Sequence, residues 1–491
     1  MSGRVPRDLC WQPVTVEDYR AEAEAFLSAL DREYYGHFSG LKEEFEIEPI
    51  YARHAALFTR EAVERLRAEA PRELVKFAAE GYIEQAVKEL SAELARLEAA
   101  LEVEVDGETY PFRQAAVVQA NELEPARRRA IEAARDELVA TRLNPLLREV
   151  HDRSRELVRE LGWPSVRAMT EELSGIDLGA LAEQTESFLA ATEPRYRDIV
   201  EPALGAQIGL GFDELARADL PAFFRGPSLD EMFPAERLLP IYEETVTGLG
   251  LRDGTAPGNV IVDAEPRPNK TPRAFCAPVQ VPAEVYLVIT RMGGREDYET
   301  LLHEAGHAEH YSHVDPGLPF EHRYLGDNSV TEGFAFLFMH LSANAAWLER
   351  RLGIDDPGPI VEHGRASKLV FLRRYCAKLS YELELQGDGE PDGLGQVYAR
   401  RLSDAVGVDW PAAPWLNDVD PFFYVAAYLR AWALETHLSR ELRERFGELW
   451  FEEPRAGAWL RDLWRTGQRE NADELLRRLT GAELDFSALL D

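Results

Sequence analysis

Over long stretches the chain alternates apolar and charged positions at a spacing of three to four. In residues 58–104 the apolar positions include Leu66, Leu74, Val75, Ala78, Ile83, Val87, Leu90, Leu94 and Leu97, and residues 125–161 repeat the pattern from Pro125 onward. That period puts one apolar stripe on a helix and solvates the rest. Thr15-Val16-Glu17-Asp18 adds a helix start ahead of an Ala/Glu/Leu-rich run. Residues 14–222 therefore read as a packed helical array without a fixed-period repeat.

The period changes near residue 250. Asn259-Val260-Ile261-Val262, Ala274 to Cys276, and Val285 to Ile289 read as short strands. Pro266, Pro268, Asn269, Lys270, Thr271 and Pro272 form a loop after the first, and Pro278 and Pro282 interrupt the others. Proline confines such strands to a sheet edge, where an extended peptide can pair. Gly293-Gly294 ends the patch. Helical spacing returns over residues 296–313, 328–350, 358–386, 393–405, 419–446 and 455–480. The expected fold class is mostly α with a small β-sheet. Residues 1–250 are expected to form a helical lid or channel wall, and residues 251–491 to carry the chemistry.

Composition narrows the partners. With 491 residues, 45% apolar and 29% charged, the chain can bury a large core. A net charge of −33 argues against a nucleic-acid backbone or an anionic membrane as partner. No window approaches eighteen uninterrupted apolar residues, and the first ten residues show no apolar signal region. Cys10, Cys276 and Cys376 form no CxxC pair and suit a reducing cytoplasm. No feature calls for an obligate protein partner.

The chemistry concentrates in one segment. Five of the 11 histidines lie between residues 303 and 322. His303-Glu304-Ala305-Gly306-His307 is an HExxH motif, which chance would place roughly 0.04 times in such a chain. Two imidazoles four apart share a helix face and can hold one zinc ion. Glu304 sits about 100° round the helix from His303, where it can act on a water at the metal as general base. Zinc draws the pKa of such a water towards about 7. A third protein ligand is needed, with one position left open. Glu332 lies 25 residues after His307, in the first turn of an apolar helix. Ser329-x-x-Glu332 also fits a capping box, so ligand and cap both stand. His313 matches metzincin spacing, but His310 occupies the position where that pattern needs a glycine break. Glu309, Glu321 and Asp327 are further candidates.

HEAGHAEH, the glutamate 25 residues on and the strands just upstream resemble the thimet oligopeptidase and oligoendopeptidase F family of gluzincins. The family's HExGHxxH is matched by His303, Glu304, Gly306, His307 and His310, and Tyr424 to Trp432 is similar to its C-terminal tyrosine segment. The resemblance covers roughly residues 255–485. It implies a clam-like helical metallopeptidase fold, one zinc ion held by His303, His307 and Glu332, and short unfolded peptides as substrates. It also implies oxyanion stabilisation by Tyr428, with Tyr424 one turn earlier. His310, Tyr324 and Arg430 are expected on the substrate side, Arg430 as a carboxylate binder or else a salt-bridged residue. The sequence departs from the family before this helix, where Asn417-Asp418-Val419-Asp420-Pro421-Phe422-Phe423 stands. The expected activity is that of a zinc metalloendopeptidase. A zinc carboxypeptidase of similar fold and a silent peptide-binding protein are the alternatives.

Overall fold

The computed structural model describes residues 15–252, 260–387 and 393–490. The expectations for Cys10, the first ten residues and Asn259 lie outside the described residues. The chain is mostly helical. Its principal helices are α1 (Val16–Phe38), α2 (Arg72–Ala100), α3 (Leu178–Ile208), α4 (Arg295–Ser312), α5 (Asn328–Met339), α6 (Gly358–Leu385) and α7 (Tyr424–Phe446). α1 opens on a capping box, in which Thr15 accepts from the Asp18 amide and Asp18 from the Thr15 amide. One apolar core runs from Tyr19 to Phe486 and takes in both halves of the chain. No described helix is long and apolar enough to cross a membrane.

A second, smaller apolar cluster lies under residues 101–143. It contains a hairpin that the helical reading of the first half passed over: β1 (Glu102–Val105) and β2 (Glu108–Pro111). Asp106 and Gly107 both have positive φ, 54° and 82°, as a two-residue hairpin turn requires. Val103 and Val105 face the cluster, and the intervening glutamates face water.

The expected sheet forms from β3 (Val260–Asp263), β4 (Phe275–Gln280) and β5 (Glu284–Val288), in the order β3-β5-β4. β3 runs parallel to β5 and β4 antiparallel, with Cys276 opposite Leu287. Pro278 sits in an irregularity between Ala277 and Gln280 on the edge strand, where a missing N–H is tolerated. α1 packs over this sheet, and its Tyr35 ring stacks on Tyr286 at 3.8 Å. Asp263 receives Tyr35, Arg267 and Lys270, tying the proline-rich loop to α1.

Three helices are shorter than the spacing predicts. The 328–350 segment breaks after Met339, and Asn344 caps a new turn at the Trp347 amide. The 455–480 segment splits into Pro454–Trp464 and Ala472–Thr480, the second started by an Asn471/Glu474 capping box. The 419–446 segment begins only at Tyr424, because Phe422 and Phe423 are left-handed, with φ of 51° and 57°.

The layer that positions the site is α4 on α5 on α7. Every residue of α5 from Ser329 to Phe338 is buried, as a helix apolar all round must be. A Cβ on Gly306 would lie 2.6 Å from Ala335 Cα and from the Phe334 carbonyl oxygen. A Cβ on Gly333, on the other side of α5, would lie 2.9 Å from Leu434. Only glycine permits the first approach, where the neighbour is backbone; at Gly333 the Leu434 side chain would have to shift. Asp327 caps α5: its carboxylate accepts from the Ser329 and Ala472 amides and pairs with Arg430 at 2.7 Å.

Gly306→Ala is expected to lower stability by about 1–3 kcal/mol through overpacking. Urea unfolding checks this as a lower midpoint at unchanged m-value. A second prediction concerns acid. Burial pushes the Asp327 carboxyl up, but Arg430 and the two amides outweigh it and hold the group down at about 2, against an ordinary 3.8. A depressed folded-state pKa contributes stability above the unfolded value and loses it as pH falls through the folded one. The stability gap between wild type and Asp327→Asn, on the order of 2 kcal/mol from this shift, should therefore be full above pH 4 and close towards pH 2.

Candidate active site

His303 and His307 stand one turn apart on α4 and face α5. Their Nε2 atoms lie 3.5 and 3.7 Å from Glu332 Oε2. Tetrahedral ligands about 2.1 Å from zinc are about 3.4 Å from one another, so each histidine stands to Glu332 at nearly ligand spacing, with all three atoms within 4.8 Å. The Thr331 hydroxyl lies 2.9 Å from His307 Nδ1. A proton on Nδ1 then leaves the Nε2 lone pair aimed at the cluster. Burial holds His303 down at about 4 and His307 well below the usual imidazole value, so both are neutral near pH 7. Glu332 Oε2 is buried and has no hydrogen-bond partner among the described residues. Burial raises this carboxyl to about 7, against the pull of a tyrosine hydroxyl. Two imidazole nitrogens and an orphaned carboxyl oxygen that converge in a buried place suit a divalent cation, and the His2Glu set suits zinc.

The rival ligands are engaged elsewhere. Glu309 receives Tyr242 at 2.6 Å and Arg252. Glu321 takes both arms of Arg20, and Asp327 caps α5. His313 Nδ1 meets the Glu309 carbonyl at 2.7 Å. With Asp327 as the cap, the Ser329–Glu332 capping box does not form, and the Glu332 carboxylate points to the histidines instead.

Glu304 stands beside the cluster without joining it. Its Oε2 accepts the Cys276 amide of β4 at 2.9 Å, which fixes the carboxylate against the sheet edge. Burial raises its pKa to about 7, with the Glu332 charge adding and the Cys276 amide opposing. A carboxylate so poised both accepts and returns a proton near neutral pH.

The two tyrosines take different places. Tyr424 donates to Glu332 Oε1 at 2.8 Å and so orients the candidate ligand. Tyr428 lines a cavity of about 630 Å³ together with His303 and Glu304. Its hydroxyl has no hydrogen-bond partner among the described residues, and burial keeps it protonated. The three residues expected on the substrate side are elsewhere. His310 is fully buried, its ring against Tyr311 and Phe334, because it lies two turns beyond His303 along α4, under a different part of α5. Tyr324 accepts the Val281 amide at 2.7 Å and pins the β4–β5 connection. Arg430 is 4% exposed and held by Asp327, Ser329 and Asp473, so no substrate carboxylate reaches it.

Sequence reasoning missed Thr331 and the Cys276 amide, and also Tyr375 and His340, which line the same cavity as Tyr428. His340 lies eight residues after Glu332, just past the end of α5 and about 80° round from it, so no spacing signal pointed to it. A scan against protein-family models and a search of curated proteins found no match to this chain.

Zinc titrated by equilibrium dialysis should bind at one ion per chain. Glu332→Ala should abolish that binding, and Thr331→Val should weaken it about 10–100-fold by freeing the His307 ring. Full occupancy in Glu332→Ala would remove Glu332 from the ligand set.

Proposed function

We propose that the chain is a zinc-dependent metallopeptidase that hydrolyses peptide bonds in short, unfolded oligopeptides. The observation that carries this reading is the convergence of His303, His307 and Glu332, with Glu304 poised just outside them. A purely structural zinc site needs four protein ligands and no free carboxylate alongside. When bound, zinc supplies Lewis acidity for the carbonyl and for the attacking water. Glu304 takes a proton from that water and delivers it to the leaving amine. The Cys276 amide holds the carboxylate in place during both transfers. Tyr428 is the donor we assign to the developing oxyanion, a contribution worth several kcal/mol, roughly, in such sites. Tyr424 steadies Glu332. The outer edge of β4 offers backbone groups that an extended peptide can meet. The likeness of the motif to the thimet oligopeptidase and oligoendopeptidase F family agrees with this assignment.

Glu304→Gln should keep its zinc and lose turnover by roughly a hundredfold or more. A pool of short peptides read by mass spectrometry, with and without chelator, checks the reaction itself. Internal, chelator-sensitive cuts support an endopeptidase. Single-residue trimming of free C-termini moves the reading to a carboxypeptidase, and wild-type turnover in Glu304→Gln removes the base from its role.

A further inference from the structure

The cavity that holds His303 and Glu304 continues along α5 to a cluster that the proposed reaction does not use. Glu435 of α7 is 3% exposed. Its Oε2 receives Lys368 Nζ at 2.8 Å and lies 2.9 Å from His340 Nδ1. Lys368 and His340 both line the cavity, with side chains 28% and 22% exposed. Lys368 comes from α6 and His340 from the end of α5, so three elements converge on one carboxylate.

The charges of this wall are unequal in their freedom. Arg225 pairs with Asp230, Arg295 with Glu299, and the outlying Arg273 with Glu296. Each arginine thus has a carboxylate of its own. Lys368 and His340 share one. Burial pushes Glu435 up, but His340 and Lys368 outweigh it and hold the carboxyl at about 2. It stays ionised and anchors the ammonium, whose remaining contact is the Thr436 hydroxyl at 3.5 Å. One N–H of Lys368 has no partner among the described residues, and the residue lines this cavity as well as a smaller one on the Thr436 side.

Spacing says what could meet it. His340 follows Glu332 by eight residues, about 12 Å along the helix. An extended peptide covers that in three to four residues at about 3.3 Å each. The wall between is aromatic, with Phe336 stacked on Trp432 at 5.0 Å and Tyr375 edge-on to Trp432 at 5.1 Å.

We propose that Lys368, set by Glu435 and His340, is a subsite for a carboxylate of the peptide substrate a few residues from the scissile bond. This rests on the peptidase reading and assigns to Lys368 the carboxylate role that Arg430, buried in its own ion pairs, does not fill. The carboxylate is the free C-terminus or an acidic side chain; both have the same chemistry.

The test is calorimetric binding to zinc-loaded Glu304→Gln protein, which separates recognition from turnover. Three neutral-bodied pentapeptides of alanine and phenylalanine serve as probes: a free acid, its C-terminal amide, and an amide ending in glutamate. The free acid should bind about tenfold more tightly than the plain amide, the worth of one charge-assisted contact. Adding Lys368→Met should bring that ratio to about one, and Lys368→Arg should restore most of it. The glutamate amide binding like the free acid means that the subsite reads any carboxylate; binding like the plain amide means that it reads the terminus. Equal binding of all three probes by protein with Lys368 intact overturns the proposal and needs no variant at that position; a glutamate amide that alone binds more tightly means that the subsite reads a side chain. Failure of every probe to bind overturns the peptidase reading together with it.

Discussion

Everything at the candidate site depends on how closely α4 approaches α5. Two ordinary helices pack with axes about 8–10 Å apart, the spacing set by the side chains between them. Here Gly306 presents no side chain, and the Ala335 backbone fills the space. Glu332 then comes within 3.5 Å of His303 and 3.7 Å of His307. Gly333 repeats the device on the opposite side of α5, against Leu434 of α7. The ligand geometry is thus a product of backbone contact. The motif's glycine is there because a methyl group would pry the ligands apart.

The same closeness explains why the site is dry enough for chemistry. α5 is buried along its length, so the Glu332 carboxylate and both imidazoles sit where their charged forms are disfavoured. The neutral imidazoles and the raised carboxyls follow from one cause, the loss of water. Glu304 shares that environment but touches the sheet edge through the Cys276 amide. The small sheet therefore has a chemical use in the proposed reaction as well as a supporting one, holding the base in register with the cluster.

Local signals were legible in the sequence, and long-range ones were not. HExxH and its helix occupy consecutive residues, so period and spacing sufficed. Glu332 was legible because a carboxylate in an apolar turn needs a reason. The short strands were read from proline and β-branched runs, and β1–β2 was missed because an eight-residue alternation is lost among helices. Arg430 and His310 went astray for a different reason. Both lie on helices that carry site residues, and a linear pattern does not say what packs against each turn of a helix. Arg430 meets Asp327 and Asp473, partners over a hundred and over forty residues away in the chain. Tyr424 was expected beside Tyr428, but its hydrogen bond to Glu332 depends on a turn that no spacing rule anticipates.

That turn has its own consequence. Phe422 and Phe423 hold left-handed backbone angles, which cost of order 1–3 kcal/mol each in a residue with a bulky side chain. They stand directly ahead of Tyr424, and the strain is met by the packing of Phe423 in the core and the tyrosine's bond to Glu332. A glycine at either position would relax the backbone and release the phenol's starting angle in the same step. Thermal robustness and ligand rigidity therefore pull in opposite directions at these two residues, and the chain as it stands has settled on rigidity.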